Sequence, residues 1–376
     1  MKKIIRILAV LVCISILGGE MCFAAPPEIA AKGAVLMEVE SGRILYEKNA
    51  RKKMPMASTT KIMTAILAIE NGSMDDIVTV SDKAYGVEGS SIYLDRGEKI
   101  CLENLLYGLM LRSGNDAAVA IAEHIGGSLE NFVDMMNKKA IELGAKDTHF
   151  VNPHGLHDDL HYTTAYDLAL ISTYAMKNPI FRTIVSTKYK KIPWENHEWD
   201  RVLQNKNKIL WDYEGGNGIK TGYTKKSRRC LVSSALRSNM QLVCVVLDCQ
   251  PWFEDSMAIM DYCFDTFKPY TVFSSEQLLK QIHVEDGFEK EVGAVIKDDI
   301  ILPVKEGEEE NIKIKFDLPD AIKAPVKAGD QIGNVAVSLA DEVSIIRPLY
   351  ADSDVMENTF ISNIKRIFMK WITNGL

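Results

Sequence analysis

The chain has 376 residues, 47% of them hydrophobic and 25% charged, with a formal net charge of −7. That balance excludes a disordered chain and a polytopic membrane protein, and the acidic sign argues against a nucleic-acid partner, which calls for a basic face to neutralise phosphates. A single hydrophobic core stops growing near roughly 250 to 300 residues, so the length predicts two domains.

The amino terminus reads as an export signal. Lys2, Lys3 and Arg6 precede an apolar run from Ile7 to Leu17, and Cys22-Phe23-Ala24 offers a small-residue cleavage site, so residues 1–24 are expected to be removed. The rival reading, a spanning helix, requires roughly 20 apolar residues and finds too few here. Cleavage removes three cations and Glu20, a net of +2, and leaves −9. Cys13 and Cys22 leave with it. The remaining Cys101, Cys230, Cys244, Cys249 and Cys263 form no Cys-x-x-Cys pair, which predicts no metal site and mostly buried thiols, with room for one bridge.

Gly33 to Glu40 and Ile44 to Tyr46 flank Ser41-Gly42-Arg43 and read as a hairpin. Ile62, Met63, Ile66, Leu67 and Ile69 recur at helical spacing over Thr60 to Glu70, with Asn71-Gly72 as the stop. Residues 103–145 alternate helical segments with breaks at Arg112-Ser113-Gly114-Asn115 and His124-Ile125-Gly126-Gly127, a helical lobe. Residues 216–249 switch to three extended runs that suit neighbouring antiparallel strands, and Met257 to Phe267 reads as a closing helix ended by Lys268-Pro269, the expected domain boundary.

Short strands follow over Lys290 to Ile296, Ile300 to Pro303, Ile312 to Phe316, Val335 to Leu339 and Val343 to Arg347, an all-β module; Glu306 to Glu310 reads as a solvated loop. In the last segment Phe360, Ile361, Ile364, Ile367, Phe368, Trp371 and Ile372 share one helical face, with Arg366 and Lys370 opposite. This is the pattern of an in-plane membrane anchor, and equally of a helix packed on the β-module.

The chemistry concentrates in three short strings. Ser58 and Lys61 lie one turn apart at the start of the Thr60 helix, so a hydroxyl and an amine share a face; serine needs such a base, and lysine can serve when burial or nearby positive charge lowers its pKa. Alone, this spacing is also that of an N-capping serine. Ser113-Gly114-Asn115 stands 55 residues on at an inter-helix break, and Lys220-Thr221-Gly222 a further 107 residues on in a strand. There a cation and a hydroxyl could meet a carboxylate. Three strings in this order and context are far less probable by accident than any one of them.

Together they resemble the motifs of penicillin-binding proteins and serine β-lactamases. Ser113-Gly114-Asn115-Asp116-Ala117-Ala118, Asn152-Pro153-His154-Gly155-Leu156 and Gly218-Ile219-Lys220-Thr221-Gly222-Tyr223-Thr224 resemble the longer signatures of low-molecular-mass D-alanyl-D-alanine carboxypeptidases of the peptidase family S11 kind. The resemblance implies an α/β (α+β) catalytic domain over residues 25–270, an antiparallel sheet flanked by helices and a helical lobe, with the site between them. It implies a small all-β domain over 271–350 and an amphipathic anchoring helix over 354–376.

It implies removal of the terminal D-alanine from peptidoglycan pentapeptides through an acyl-enzyme, acylation by β-lactams, and no cofactor or metal. The enzyme would be exported and peripheral on the extracytoplasmic face of the cytoplasmic membrane, touching that surface through its last helix. By motif match Ser58 is the nucleophile, Lys61 its base and Ser113 a proton relay helped by Lys220. Asn115, Lys220, Thr221, Gly222 and Tyr223 bind substrate, and the N–H groups of Ser58 and Tyr223 hold the oxyanion. His154 matches a family histidine near the site and is equally a structural loop residue. His157 and His161 read as loop or capping residues, and Glu123 and Asp167 as surface or capping carboxylates.

Two places depart from the pattern. Gln250-Pro251-Trp252-Phe253-Glu254-Asp255 lacks the arginine that relatives carry before the closing helix, and Ser227-Arg228-Arg229 replaces a small pair after Thr224, so Arg228 and Arg229 are either substitutes for that charge or ordinary turn residues. The competing functions are a β-lactamase, which commonly uses a glutamate where the loop here carries His154, and a non-catalytic wall-binding protein of the same fold.

Overall fold

The computed structural model describes residues 25–339, 343–360, 363 and 364. The signal expected over 1–24 and most of the amphipathic helix expected over 354–376 lie outside the described residues; the helix does not begin at 354, because Val355 is buried and pairs with Val326, and Glu357 pairs with Gly287.

Strands β1 (Gly33–Glu38) and β2 (Ile44–Lys48) form the expected hairpin, closed where Ser41 N and Oγ donate to the Glu38 carboxylate. A 3₁₀ turn at Ala57–Thr60 feeds α1 (Lys61–Asn71), in which every residue from Lys61 to Ala68 is buried. The small hairpin β3 (Ile77–Thr79) and β4 (Lys99–Cys101) leads into α2 (Leu102–Tyr107), a π-helical turn at Gly108–Arg112, α3 (Asn115–Gly126) and α4 (Leu129–Glu142). Helices α5 (Ala165–Lys177) and α6 (Pro179–Ser186) follow, each started by a side-chain cap, from Thr164 and Asn178 respectively.

A hairpin of β5 (Tyr189–Ile192) and β6 (Arg201–Gln204) and the short helix α7 (Ile209–Asp212) precede the long strands β7 (Gly216–Thr224), β8 (Arg228–Arg237) and β9 (Met240–Leu247). The five-stranded sheet has the order β2-β1-β9-β8-β7, antiparallel throughout, which leaves β7 on an edge. Its strands alternate between two cores. Val35, Met37, Val232, Val243 and Val245 face the helical lobe, whereas Ala34, Leu36, Leu231, Cys244 and Val246 face α8 (Trp252–Thr266). A strand covered on both faces reads as a nearly unbroken apolar run, which is why Leu242 to Leu247 shows no polar alternation.

Helix α8 starts five residues before the expected Met257. Glu254 and Asp255 break the apolar spacing there, yet Asp255 is buried because its carboxylate accepts the N–H groups of Ala30 and Ala31. No linker follows it. Lys268 opens β10 (Lys268–Phe273) directly, and β11 (Leu278–Glu285), β12 (Glu291–Val295), β13 (Ile300–Val304), β14 (Ile312–Asp317), β15 (Ala321–Lys323), β16 (Gln331–Leu339) and β17 (Val343–Ala351) complete the β-module. Six of them form a sheet ordered β14-β16-β17-β12-β11-β15 around a core that includes Val284, Ala294, Leu302, Val335 and Leu349. Strands β10, β11, β15, β5 and β6 escaped the sequence reading because their faces are largely exposed and carry mixed polar residues.

The joint between the two units is built on Arg43, from the β1–β2 turn. Its guanidinium meets both carboxylate oxygens of Glu308 at 2.8 and 3.0 Å, donates to Pro303 O at 2.5 Å and lies over the Phe267 ring. The Arg43 side chain is 5% exposed, so the pair is largely withdrawn from solvent and screening.

Candidate active site

Ser58 sits in the 3₁₀ turn at the head of α1, preceded by Ala57 at φ 48, a left-handed backbone for a non-glycine residue. That turn is held from three sides. Thr59 Oγ1 donates to Met56 O at 2.6 Å and Thr60 Oγ1 to Ala57 O at 2.8 Å, while the Thr60 hydroxyl also meets His161 Nε2 at 2.7 Å. Val151 N donates to His161 Nδ1, which makes Nδ1 the acceptor and leaves Nε2 to carry the proton. His161 is therefore a buried neutral imidazole beneath the Ser58 turn, 2% exposed, with burial pushing its pKa down to about 4.

The Lys61 amine is fully buried and has three polar neighbours: Asn115 Oδ1 at 2.7 Å, His154 O at 2.6 Å and Ser58 Oγ at 3.1 Å. A neutral amine has two N–H groups and one lone pair. The two carbonyl oxygens can only accept, so they take the two N–H groups, and the lone pair is left for the hydroxyl of Ser58. Electrostatics push the same way: desolvation first and the charge of Lys220 second hold the Lys61 pKa well below 10.5. Lys220, buried in β7 with its Nζ on Thr221 O at 2.9 Å, is itself lowered to about 7 by burial and by Lys206.

The Asn152 to Leu156 loop follows from its own residues. Asn152 Oδ1 accepts from His154 N and Gly155 N, its Nδ2 donates to Leu156 O, and Thr64 on α1 fixes Pro153 O at 2.6 Å. This aims the His154 carbonyl at Lys61. The His154 ring is turned to the loop, Nδ1 accepting from Leu156 N, and burial with the nearby Lys61 lowers it to about 3. Gly155 has φ +88, and a Cβ there would lie 1.9 Å from Ala57 O. Likewise a Cβ on Gly222 would come within 3.0 Å of Ser58 N, so β7 passes the Ser58 backbone with only hydrogen between them.

Ser113 ends the π-helical turn in a left-handed conformation, φ 64, and is 5% exposed. Such turns recur at functional sites. Asn115 opens α3, but both ends of its amide are engaged, Oδ1 by Lys61 and Nδ2 by Glu88 O at 2.5 Å, so its first task is to place the amine and the 88–91 loop. Asp116 folds the rest of that loop, accepting from Ser91 Oγ, Ile92 N and Leu94 N. Thr221 is nearly buried and Tyr223 is 59% exposed along the edge strand.

Ser58, Lys61, Asn115 and the His154 carbonyl thus meet directly, with Lys220, Thr221, Gly222 and Tyr223 on the adjoining strand. His161, Thr60 and Asp116 were not singled out for this role; their only sequence signal is adjacency to Lys61 and Asn115 or a place in the loop beyond His154. Asp167 is 4% exposed, not a surface group: it accepts from Asp147 N and Thr148 Oγ1, and Thr164 caps its helix. Glu123 takes the Ser81 hydroxyl, and His157 lies beside Asp159 at the surface. All five described cysteines are free thiols, so the single bridge left open by their number is not formed; burial pushes Cys230 and Cys244 up to about 12. Among the described residues no group of His, Cys, Asp or Glu is arranged to hold a metal ion.

Residues 21–251 match the family model described as D-alanyl-D-alanine carboxypeptidase, and residues 267–357 match that of the penicillin-binding protein 5 C-terminal domain. The chain is 35% identical to the D-alanyl-D-alanine carboxypeptidase DacF of Bacillus subtilis, over 91% of this chain and 90% of that protein, and 32% identical to DacA of Haemophilus influenzae, over 84% and 82%. Its structure is similar to that of penicillin-binding protein 5 from Haemophilus influenzae, with TM-score 0.69 and 30% identity over 89% of this chain and all of that one. It is also similar to that of a peptidoglycan synthesis regulatory factor (PBP3) from Streptococcus pneumoniae, with TM-score 0.75 and 27% identity over 88% of this chain and all of that one.

A histidine whose folded pKa lies below its free value of about 6.5 stabilises the fold above that value and loses the contribution as pH falls through the folded one. For His161 the window is pH 6.5 to about 4. Denaturant unfolding at pH 7 and pH 4 should show a loss on the order of 3 kcal/mol traceable to this residue. His161→Gln, less stable at pH 7, should lose correspondingly less between the two pH values; an unchanged pH slope would refute the assignment.

Proposed function

Since the chain belongs to the D-alanyl-D-alanine carboxypeptidase family, whose serine-type hydrolase activity it has, we propose that Ser58, Lys61, Ser113 and Lys220 carry that reaction. The observation behind the assignment is the Lys61 amine, stripped of solvent, with its lone pair left for Ser58 Oγ. Ser58 Oγ attacks the carbonyl between two terminal D-alanines while its proton passes to Lys61 Nζ. The tetrahedral oxyanion is held by the N–H groups of Ser58 and Tyr223, each such donor worth a few kcal/mol in the transition state. Absence of a side chain at Gly222 supports that close approach.

Collapse breaks the amide bond. The leaving nitrogen takes the proton through the Ser113 hydroxyl, assisted by the charge of Lys220, and D-alanine departs. Water then enters, Lys61 accepts its proton, and the acyl-enzyme is hydrolysed to the shortened peptide and free Ser58. The substrate's extended acyl arm runs along the free edge of β7, beside Thr221 and Tyr223, with Asn115 at its side chain. β-Lactams acylate the same serine. The 152–156 loop offers Lys61 a carbonyl and keeps the His154 ring on its own backbone, with no glutamate to activate water, so the penicilloyl adduct is long-lived and the lactamase reading is the weaker one.

For the remainder, the chain up to the end of α8 forms the catalytic domain, the β-module that opens at Lys268 a stalk, and the segment 360–376 attaches the exported enzyme to the outer face of the cytoplasmic membrane by its apolar face. The aromatic-rich stripe from Phe360 onward supports this, as does its place after the last pairing of the β-module at Glu357. Among the described residues no helix is long and apolar enough to cross a membrane.

Ser58→Ala should abolish D-alanine release from a pentapeptide and covalent labelling by penicillin; labelling that survives would move the nucleophile elsewhere. Lys220→Gln removes a cation that depresses Lys61, so the rising limb of the acylation rate against pH should shift to more alkaline pH, and a shift the other way would contradict Lys61 as base. Deleting residues 360–376, which spares the Val355 and Glu357 pairings, should release the signal-processed protein from the membrane fraction, and retention there would count against the anchor.

A further inference from the structure

An enzyme that removes only a terminal residue must distinguish a free carboxylate from a continuing chain. The structure disposes of the two arginines considered as substitutes for the absent one. Arg229 donates to Gln250 O at 3.2 Å and lies over the Trp252 ring at 5.4 Å, so its guanidinium is committed to the start of α8, and Arg228 is the exposed first residue of β8, at φ 56 opposite Thr224.

A different cation stands at the site. Lys206 follows β6, and its backbone is fixed on both sides by buried asparagines. Asn205 Nδ2 donates to Val185 O and Thr187 O, Asn205 N donates to Lys188 O, and Asn207 N and Ile209 N are taken by the side-chain oxygens of Asn205 and Asn207. The hairpin that delivers it is pinned by Arg201, whose guanidinium is buried against Glu98 at 2.5 and 2.6 Å. Lys206 N donates to Leu111 O, two residues before Ser113, and Nζ reaches Ser90 Oγ at 3.4 Å; Ser90 O in turn receives Asn115 N.

Lys206 therefore bridges from the end of β6 to the 88–91 loop, beside the segment that leads into the Ser113 to Asn115 turn. It shares a groove with Arg112, Lys208 and Trp211. Among the described residues none of these three cations has a carboxylate partner within salt-bridge distance, although Asp212 also lines the groove. Its field is felt in the site: Lys206 is the charge that lowers Lys220 and one of those that lower Lys61.

Building on the reading of Ser58 and Ser113 above, we propose that Lys206, backed by Arg112, binds the free α-carboxylate of the departing D-alanine and so confines the enzyme to chain ends. Three features support this: the cation has no internal anion, its backbone is held rigidly, and it stands on the side of the cleft where Ser113 meets the leaving nitrogen. An anion there would also relieve the repulsion among Lys206, Arg112 and Lys220, so the site is complete only with its substrate bound.

The test compares one acyl-D-alanyl-D-alanine peptide as the free acid and as its C-terminal amide, for wild type, Lys206→Gln, Lys206→Arg and Arg229→Gln. Losing a charge-assisted hydrogen bond should lower the ratio of kcat/KM for the acid to that for the amide about 10- to 100-fold in Lys206→Gln, beyond any loss common to both substrates, while Lys206→Arg keeps the ratio. A proportional loss on both substrates would show a merely structural lysine and overturn the proposal, as would loss of the preference in Arg229→Gln with Lys206→Gln unaffected. A wild type equally fast on both overturns the carboxylate reading while leaving the Ser58 chemistry standing; one inert on both overturns that chemistry and this proposal with it.

Discussion

Everything at the site depends on one buried amine that has acceptors but no counter-ion beside it. Lys61 is sealed among α1, α3 and the 152–156 loop, where two carbonyl oxygens use two of its hydrogens and a hydroxyl faces the third position. An ammonium there would lack both solvent and a contacting carboxylate, and Lys220 adds a like charge. Much of the surrounding architecture keeps that arrangement in place. Asn152 shapes the loop whose carbonyl reaches Lys61, Thr64 ties the loop to α1, and Asp116 folds the segment over Asn115.

The same economy governs the nucleophile. Its turn requires a left-handed Ala57 and the approach of two foreign backbones, one at Gly155 and one at Gly222. A conformation of this kind costs of order 1–3 kcal/mol and persists only where the surroundings over-determine it. Here they do: two threonine hydroxyls, a tautomer-locked imidazole and an edge strand converge on four residues. His161 illustrates how a residue with no contact to Ser58 in the hydrogen-bond network can still hold the Ser58 turn in register, through Thr60.

What the sequence made legible was local and periodic. Ser58, Lys61, Ser113 and Lys220 could be named because one helical turn, one inter-helix break and one strand each impose a spacing, and the strands of the main sheet because a sheet buried on both faces leaves an apolar run. The partners of those residues were hidden because they arrive from distant chain positions through backbone geometry: the His154 carbonyl is 93 residues from Lys61, and His161 is 101 from Thr60. Lys206 was overlooked for a related reason. It lies in a short polar hairpin whose strands carry no apolar period, and its significance arises only when Leu111 and Ser90 are brought beside it. The expected helix start at Met257 failed at Asp255, an acidic residue that reads as surface until two backbone N–H groups claim it.

The Arg43 joint bears on how the catalytic centre explores its surroundings. With α8 running straight into β10 and a guanidinium gripping Glu308 and Pro303 across the boundary, the two units are braced and not tethered. A flexible tether would let the cleft wander through a volume that widens with its length. With the far end of the β-module held at a surface, as proposed for the segment that follows it, a braced arm would give the cleft a fixed radius and a thin shell to sweep. Polymer strands within that layer would then be met often and those above or below it hardly at all, which would make altitude a selector of substrate alongside chemistry.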